Sequence, residues 1–598
     1  MLDKNIQLTE GIQIKHITFF LLFVNEIVTF TDDVQIEPLY ILSQQLSYIM
    51  NIPKGNNMKN LFIVKPSRFI VLLAILLLTF GLFQNIYCQN NEQRYKSIDV
   101  LDYKFEIALN DSSDIIKVIA TVKILFKEKL KSYYLDLSNI NKDGKGMIIE
   151  NVFEDNQKLE YTHRENKVEI IDTAIAKGCI RTYRLKYHGI PSDGLIISKN
   201  KFGDRVFFGD CWPNRAHCWL SCVDHPSDKA TVEFIVVAPS HYQVIANGSN
   251  IEDKIVGDKI ISHWMANEPL PTKVMVIGVA RFAIQNFTST YSIPLSTWVF
   301  PQNQDEGFKN YRAADKPLDY YISQIGAYPF SKLANVQSKT IFGGMENASC
   351  IFYYENSVTR AQESLLAHEI AHQWFGDAIS ELSWYHIWLS EGFATYLTDL
   401  YIEHQYGRDR FLSRMNRERN EVFEYESKKL APIVDTTITD LNDLLSVNSY
   451  QKAAWVLHML RKDLGDSLFW ECIRTFYQKN KYGNALTKDF QAIVENLSGK
   501  DYHEFFNQWF YQCGHPKLSS DWSYANKQIK FTVNQQQKGF TFKIPLEIEI
   551  VYDKGNSTIE TVNINNAEDT FTLPSEEKPK EIILDPNTWL LFELVKNN

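Results

Sequence analysis

Hydrophobic and polar positions alternate through much of residues 98–297. Clear examples are the run ATVEFIVVA at 230–238, the run VMVIGVARFAI at 274–284 and the alternation between Tyr183 and Tyr187. Alternation with a period of two is typical of β-strands that bury one face. Turn-forming pairs separate these runs, namely Asn110-Asp111, Asp143-Gly144 and Asn247-Gly248. The pattern therefore predicts an N-terminal antiparallel β-domain, a sandwich or a saddle, over 98–297.

The pattern changes to helical spacing in residues 298–512. Apolar residues recur at that spacing in SLLAHEIAHQWF, GFATYLTDLYIEHQYG and SYQKAAWVLHMLRKDLG. The Gly and Pro of QCGHP at 512–516 end this block. Strand patterns return in FTFKIPLEIEIVY and DPNTWLLFEL, which predicts a β-sandwich domain over 513–598. The chain as a whole is expected to be a multidomain α+β protein.

Composition and charge narrow the class of protein. A chain of 598 residues, 45% of them hydrophobic and 22% charged, has ample material for packed cores and does not resemble a disordered chain. The formal net charge of -10 argues against nucleic acid as a partner, because phosphate binding depends on clustered cations. A globular protein that does not bind nucleic acid is therefore expected.

The N-terminal region indicates export. From Met58, basic residues precede an uncharged run at 69–83, and polar residues follow, which is the order of a secretory signal peptide over 58–88. The run is about 15 residues long, short of the roughly 20 that a membrane span needs, so a membrane anchor is the alternative. The leader at 1–57 has no strong structural signature, and the hypothesis is that translation starts at Met58. A periplasmic, cell-surface or secreted protein is expected, with membrane contact only if the segment is retained as an anchor.

Seven cysteines follow Cys88, and an odd number cannot all be paired. Cys218 and Cys222 could bind a metal together with a neighbouring histidine. No second ligand pair follows at a zinc-finger spacing, however. Core cysteines or partly disulfide-bonded cysteines are the favoured interpretation.

The stretch HEIAHQWFGD at 368–377 contains the candidate metal site. On a helix, positions i and i+4 lie on one face, so His368 and His372 can bind a single cation, while Glu369 points to the adjoining face. Neutral imidazole suits zinc, and a hydrolytic zinc site needs one further protein ligand and an open position for water. Glu391, in WLSEGFATY, can supply that ligand from the next helix. The alternative is that both histidines are satisfied by core hydrogen bonds and that Glu391 caps a helix or pairs at the surface.

A zinc ion in this site would lower the pKa of its water toward about 7, and Glu369 would accept the proton and deliver it to the leaving nitrogen.

The stretch FGGMENASC at 342–350 bears on where a peptide is cut. Gly343 and Gly344 permit close backbone approach, and Glu346, after Met345, could bind a free ammonium group. These four residues are the predicted substrate-binding residues. Taken alone, the stretch would more often be a glycine turn with a solvated glutamate.

The order of the motifs adds a resemblance to a known family. The chain carries IGAYPFSKL at 325–333, GGMEN at 343–347, HEIAH with Glu391, and SYQKAAWVLHMLR at 449–461. In this it resembles the aminopeptidase N family of zinc metallopeptidases, which includes leukotriene hydrolase, over about residues 98–590. The resemblance implies a thermolysin-like zinc catalytic domain between the two β-domains and peptides with a free N-terminus as substrates.

By the same resemblance, His368, His372 and Glu391 are the ligands of one zinc ion, Glu369 is the general base and Glu346 binds the substrate α-amine. Tyr450 matches the tyrosine that stabilises the tetrahedral oxyanion. Without the flanking motif, Tyr450 would be taken for a core aromatic residue at the start of a helix.

Two departures from the family pattern stand out. Where relatives commonly carry a Gln or Glu that helps to hold the amine, counting back from Asp224 reaches Trp212. The large C-terminal helical domain of many relatives is also expected to be absent, which would open the active site.

An aminopeptidase is the favoured function. The alternatives are a bifunctional enzyme that also opens lipid epoxides and a catalytically idle relative that serves in binding.

Overall fold

The structure is a computed structural model that describes residues 94–359, 362–553 and 555–596. The predicted leader at 1–57 and the predicted signal peptide at 58–88 lie outside these residues. Within them, no helix combines the length and the apolar character needed to span a membrane.

The N-terminal part of the described chain consists mainly of strands, with a long loop at residues 210–229 that contains Trp212. They are β1 (Ile98–Ala108), β2 (Ile116–Phe126), β3 (Ser132–Asp136), β4 (Gly146–Glu154), β5 (Gln157–Lys158), β6 (Glu160–Arg164), β7 (Lys167–Ile171), β8 (Ile180–Ile190), β9 (Leu195–Lys199), β10 (Arg205–Gly209), β11 (Ala230–Pro239), β12 (Gln243–Ala246), β13 (Ser249–Val256), β14 (Lys259–Leu270) and β15 (Ile277–Ala280).

These strands form an eight-stranded sheet in the order β13-β14-β11-β1-β2-β8-β4-β5, a four-stranded sheet β12-β15-β10-β9 and a three-stranded sheet β3-β7-β6. Strand β11, which covers the run predicted at 230–238, alternates buried and half-buried residues along its whole length. The large sheet is antiparallel except for the parallel pair β1 and β11. Hairpin signals in the sequence cannot reveal this pair, because its strands are more than a hundred residues apart.

A five-stranded sheet in the order β16-β17-β18-β20-β19 follows. Its strands are β16 (Ala283–Thr288), β17 (Pro294–Val299), β18 (Leu333–Ser338), β19 (Gly344–Met345) and β20 (Cys350–Tyr354), and β21 (Ser380–Glu381) pairs separately with β22 (Asn484–Ala485). This sheet begins at Ala283, inside the range predicted for the N-terminal domain. The domain bounds themselves stay predictions.

Helices pack against this sheet and against one another. The α-helices in the described ranges are α1 (Gln304–Tyr311), α2 (Asp315–Gln324), α3 (Glu363–His372), α4 (Trp388–Tyr406), α5 (Arg408–Lys428), α6 (Ala453–Leu464), α7 (Asp466–Asn480), α8 (Thr487–Ser498) and α9 (His503–Phe506). Two π-helical segments, Asn448–Lys452 and Asn507–Tyr511, precede α6 and follow α9.

Helix α4 lies in the core. Every residue from Trp388 to Ile402 is buried, as expected of a helix that is apolar on nearly all sides. It ends at Tyr406, and the next residue, Gly407, has a positive φ of 87° that glycine adopts without strain. A buried helix of this kind gives Glu391, in its first turn, a fixed position.

The C-terminal part returns to strands: β23 (Lys517–Ala525), β24 (Gln528–Gln535), β25 (Ile544–Val551), β26 (Ser557–Ile564), β27 (Glu568–Pro574), β28 (Glu581–Leu584) and β29 (Glu593–Leu594). They form a four-stranded sheet β27-β24-β23-β29 and a three-stranded sheet β26-β25-β28. Two sheets with alternating burial along β24 and β25 agree with the predicted sandwich.

Candidate active site

One cavity of about 270 Å³ brings together all nine residues that the sequence predicts for the site. Its lining consists of Trp212, Phe342, Gly343, Gly344, Met345, Glu346, Leu365, His368, Glu369, His372, Glu391, Leu445 and Tyr450. The lining comes from α3, α4, the edge strand β19 and the residues on either side of it, the π-helical segment before α6, and the loops that contain Trp212 and Leu445. The roles of the nine residues stay predictions, but their proximity is a property of the fold.

The two histidines of α3 face Glu391 of α4. Their Nε2 atoms lie 3.1 Å apart, and Oε2 of Glu391 lies 3.4 Å from Nε2 of His368 and 3.2 Å from Nε2 of His372. This carboxylate oxygen is buried and has no hydrogen-bond partner in the described part of the chain. Two imidazole nitrogens and one unsatisfied buried carboxylate oxygen are a donor set that fits a zinc ion.

Hydrogen bonds on the far side of the His372 ring set its orientation. Its Nδ1 lies 3.2 Å from the carbonyl oxygen of Phe375 and 3.0 Å from the hydroxyl oxygen of Ser390. Because a carbonyl can only accept, Nδ1 carries a proton, and Nε2 is the nitrogen that can present a lone pair to a metal ion once its own proton is displaced. Gly376 keeps this region open, since a Cβ there would lie 2.4 Å from Oγ of Ser390.

Three buried carboxylates make the site favourable for positive charge. Burial opposes a charge on His372, but Glu391 and Glu346 outweigh it and raise the pKa of this imidazole to about 10. Burial also works against ionisation of Glu391, yet the two histidines hold the pKa of its carboxyl well below the usual range. For Glu369, burial and the neighbouring carboxylates raise the pKa well above its ordinary value. A bound cation would be stabilised by these buried carboxylates.

Strand β19 carries the GGMEN motif along the edge of the five-stranded sheet. It pairs on one side with β20, through Gly344 opposite Tyr353 and Met345 opposite Phe352. Glu346 follows directly, 5% exposed. One of its carboxylate oxygens lies within 4.8 Å of ligand atoms of Glu369 and His372.

Gln373 joins three of the sequence motifs, a role that the sequence alone did not suggest. Its Nε2 donates to the carbonyl oxygen of Glu346 at 2.7 Å and to Asp377 at 2.9 Å. Its Oε1 accepts from the backbone N–H of Ser349 at 2.7 Å and from the hydroxyl of Tyr328 at 3.1 Å. Gln373 thus holds the GGMEN loop against α3. In the sequence, its position directly after His372 was the only sign of this role.

Gly344 lies against the carboxylate of the predicted base. A Cβ at this position would lie 2.3 Å from Oε1 of Glu369, whereas a Cβ at Gly343 would meet nothing within 4 Å. We therefore expect Gly344→Ala to displace Glu369 and to lower peptide hydrolysis at least about tenfold, because catalytic groups tolerate little displacement.

Gly343→Ala is the matched control, since it makes the same chemical change one residue away. Steady-state rates of the two purified variants, with zinc content and thermal unfolding measured alongside, test the expectation. Equal losses of activity in both variants would show that contact with Glu369 is not the reason why position 344 requires glycine.

Tyr450 projects from the π-helical segment Asn448–Lys452 and stacks over His368, with ring centroids 6.1 Å apart and planes 13° from parallel. Burial and the nearby Glu391 and Glu346 raise the pKa of its hydroxyl well above the ordinary value. The hydroxyl therefore remains a hydrogen-bond donor at neutral pH. Gly392 of α4 packs closely against the segment, because a Cβ there would lie 3.3 Å from the carbonyl oxygen of Ser449 and 2.5 Å from Cβ of Ala453, the first residue of α6.

Trp212 lines the cavity at the position where relatives were expected to carry a second amine contact. It is 2% exposed and packs edge-on against Phe342 and Trp384, at centroid distances of 5.7 and 6.3 Å. An indole has no acceptor for an ammonium hydrogen in its ring plane. The carboxylates of the lining therefore come from Glu346, Glu369 and Glu391 alone.

Three apolar lining residues were missed at the sequence level. Phe342 directly precedes the paired glycines, and Leu365 lies one helical turn before His368, so helical spacing could have found it. Leu445 lies in an irregular loop and had no such signal.

The cysteines play no part in this site. All seven in the described ranges are free, and Cys218 and Cys222 are buried. The described clusters able to hold a metal ion are His368, His372 and Glu391, and Glu346, Glu369 and His372. The described clusters do not include Cys218 and Cys222, and of the two favoured interpretations core packing, rather than disulfide bonding, agrees with the buried free cysteines.

Comparisons with known proteins agree with this geometry. The Peptidase M1 N-terminal domain profile matches residues 100–274, and the Peptidase family M1 domain profile matches residues 311–509. Probable aminopeptidase 2 of Sulfurisphaera tokodaii is 26% identical over 388 residues, which are 61% of this chain and 49% of that protein. Glutamyl aminopeptidase of Rattus norvegicus is 26% identical over 386 residues, 60% of this chain and 40% of that protein. The chain thus aligns with about half or less of the length of these relatives.

The fold also has a solved counterpart. Aminopeptidase A of Legionella pneumophila, in complex with aspartic acid, superimposes with a TM-score of 0.72 at 16% sequence identity, covering 84% of this chain and 60% of that one. A likeness at this identity concerns the fold, and it confirms the predicted multidomain architecture. Two adjoining domain profiles, the relatives and the fold agree, and the chain belongs to peptidase family M1.

Proposed function

We propose that the chain is a zinc-dependent aminopeptidase that removes N-terminal residues from peptides. The observation that carries the proposal is the position of Glu346, a buried carboxylate in the same cavity as Glu369 and His372. A carboxylate at this distance from the reacting groups can bind the free ammonium of a peptide and thereby select the first peptide bond for hydrolysis.

His368, His372 and Glu391 would hold the zinc ion, and their donor atoms fit it. When bound, zinc supplies Lewis acidity that lowers the pKa of a coordinated water and polarises the scissile carbonyl. The hydrogen bonds of His372 to Phe375 and Ser390 keep its Nε2 available as a ligand.

Glu369 would act as the general base. Its carboxylate accepts a proton from the attacking water and delivers it to the leaving nitrogen, so that one group serves both halves of the reaction. Tight contact with Gly344 keeps this carboxylate next to the strand that binds substrate.

Tyr450 would donate its hydroxyl hydrogen to the oxyanion that develops on the scissile carbonyl. The stacking on His368 places the ring beside the reacting groups, and the raised pKa keeps the proton on the phenol. The donor is therefore oriented before substrate arrives.

Strand β19 would position the peptide. One of its edges pairs with β20, so the opposite edge can add an extended peptide by main-chain hydrogen bonds. Glu346 at the end of this strand then meets the peptide N-terminus, and the first peptide bond lies near Glu369.

Matched free and N-acetylated peptides test this proposal. Acetylation removes the ammonium charge and leaves Glu346 buried and unpaired, so we expect the acetylated peptides to be cut at least about a hundredfold more slowly. Glu346→Ala should lower the rate on free peptides while the variant keeps its zinc. The measurements are kcat/KM with both peptides and the zinc content of both proteins.

Two results would oppose the proposal. Equal cleavage of both peptides, or internal cleavage of the acetylated one, would indicate an endopeptidase. A zinc-loaded chain that hydrolyses no substrate from a panel of aminoacyl anilides would instead place the protein among idle binding relatives.

Export is a further part of the proposal and is supported by the sequence at 58–88, which lies outside the described residues. The basic residues, the short apolar run and the polar residues after it have the order of a signal peptide. We expect N-terminal sequencing of the native protein to find a mature chain that begins after this segment. A chain that retains residues 1–57 would exclude both processing and a start at Met58.

A further inference from the structure

A second cavity, of about 710 Å³, adjoins the active site. It lies between the first turn of α3, the end of α4 and the first turns of α5, and its lining includes Ser364, Arg410, Arg414 and Arg417. Leu365 lines both this cavity and the active-site cavity. The two spaces are therefore neighbours along α3.

Leu365 marks the nearest edge of the second cavity. It precedes His368 by three residues, which is about one turn of helix, or roughly 5 Å. An extended peptide advances about 3.3 Å per residue. A peptide whose N-terminus lies at Glu346 and whose chain runs along α3 toward Leu365 would reach the nearer edge of the second cavity with its third or fourth residue.

The charge of this cavity is positive, against a chain with a formal net charge of -10. Three arginines line it. Its acidic lining residue is Glu363, whose carboxylate accepts hydrogen bonds from the hydroxyls of Tyr401 and Tyr406. The lining thus carries an excess of cations.

The three arginines differ in their partners. Arg414 is held by hydrogen bonds within the protein. Its Nε donates to Asp399 at 2.6 Å, and its Nη1 donates to Oγ of Ser364 at 3.4 Å. Arg417 is 58% exposed, and its ion pairs within the described ranges are long, at 3.4 Å with Glu421 and 3.7 Å with Glu418. Arg410 is exposed and forms no ion pair within the described ranges.

Arg410 and Arg417 lie on one face of α5. They are seven residues apart, which is two turns of helix or about 10 Å, so both can face the same cavity. Guanidinium groups bind carboxylates through paired hydrogen bonds. Within the described ranges Arg410 forms no ion pair and the pairs of Arg417 are long, so both guanidinium groups suit the same chemical group, a carboxylate.

We propose that this cavity binds a carboxylate of the peptide substrate downstream of the cleaved bond, through Arg410 and Arg417. The inference rests on the proposed aminopeptidase function and extends it to a substrate class. Peptides with a carboxylate at the third or fourth residue, whether an acidic side chain or the C-terminus of a tetrapeptide, are preferred over neutral ones.

Two pairs of tetrapeptides test the inference and separate the two sources of the carboxylate. Leu-Gly-Gly-Gly is compared with its C-terminal amide, and Leu-Gly-Glu-Gly-amide is compared with Leu-Gly-Gln-Gly-amide. We expect at least one carboxylate peptide to exceed its neutral partner in kcat/KM by about threefold to tenfold, the range for a solvated ion pair with paired hydrogen bonds. The preference should fall in 0.5 M NaCl, because solvated charges are screened at about that ionic strength.

The double variant Arg410→Gln/Arg417→Gln should bring the preferred ratio close to one. Each ratio is taken within a single protein preparation, so partial misfolding of a variant cancels. Lys428→Gln is the matched control, because Lys428 is on the same helix, pairs with the exposed Glu424 and lines neither cavity. The control should keep the ratio of the unmodified chain.

The outcomes distinguish failure of the carboxylate site from failure of the aminopeptidase proposal. If the zinc-loaded chain hydrolyses leucyl-p-nitroanilide but shows ratios near one, or if the double variant keeps the preference, the carboxylate site is wrong and the aminopeptidase proposal stands. If neither the anilide nor any tetrapeptide is hydrolysed, both proposals fail.

Discussion

Replacing Glu369 by glutamine is expected to leave zinc bound and to lower turnover by at least about 10²-fold, because the variant loses the proton acceptor without losing a metal ligand. Glutamine keeps the size of the side chain, so the close approach of Gly344 to this residue is preserved. The measurement is kcat on an aminoacyl anilide, together with zinc per chain by atomic absorption. Near-normal turnover in a zinc-loaded variant would remove Glu369 from the reaction.

Glu391→Ala provides the contrast to this variant. Oε2 of Glu391 is the unsatisfied oxygen that faces both histidines. Its removal leaves two protein ligands, so we expect zinc to be lost on dialysis. Metal content thus distinguishes the base from the ligand, even though both variants are inactive. Full zinc occupancy in Glu391→Ala would exclude it as a ligand.

Tyr450→Phe is expected to keep the fold and the zinc and to lower kcat by about 10²- to 10³-fold, as typically results when one oxyanion donor is removed. The phenyl ring can keep the stacking on His368, so the change is confined to the hydroxyl. Both kcat and KM should be measured, because a donor that acts only in the transition state affects kcat.

A matched control for this variant is Tyr353→Phe. Tyr353 is a fully buried tyrosine of β20 whose hydroxyl donates to Asn335 at 3.1 Å, and it does not line the cavity. We expect this variant to lose stability but not to reproduce the selective loss of kcat. Unchanged turnover in Tyr450→Phe would make Tyr450 a packing residue.

The fold class and the family could be predicted from the sequence, and both are confirmed. The alternation along 230–238 and the helical spacing around His368 are local patterns, and local backbone geometry translates them directly into a strand and a helix. The domain bounds and the roles of the site residues stay predictions, since their proximity in one cavity does not by itself establish what they do.

The contacts between distant segments could not be predicted in this way. The parallel pairing of β1 with β11, the contribution of Trp212 and Leu445 to the cavity, and the bridging by Gln373 join residues that are far apart in the chain or give no periodic signal. Each depends on how whole elements pack, which no short window of sequence records.

The sequence by itself determined the chemistry that is available. The four-residue spacing of His368 and His372 places both on one helix face wherever that helix lies, and the glycines before Glu346 permit a close approach of the backbone. Only the tertiary structure decided which groups meet. Packing of the buried helix α4 brings Glu391 to the histidines, and the position of α5 places Arg410 and Arg417 in a cavity that adjoins the active site. The physical reason is that helix geometry acts over a few residues, whereas burial of apolar faces acts over the whole domain.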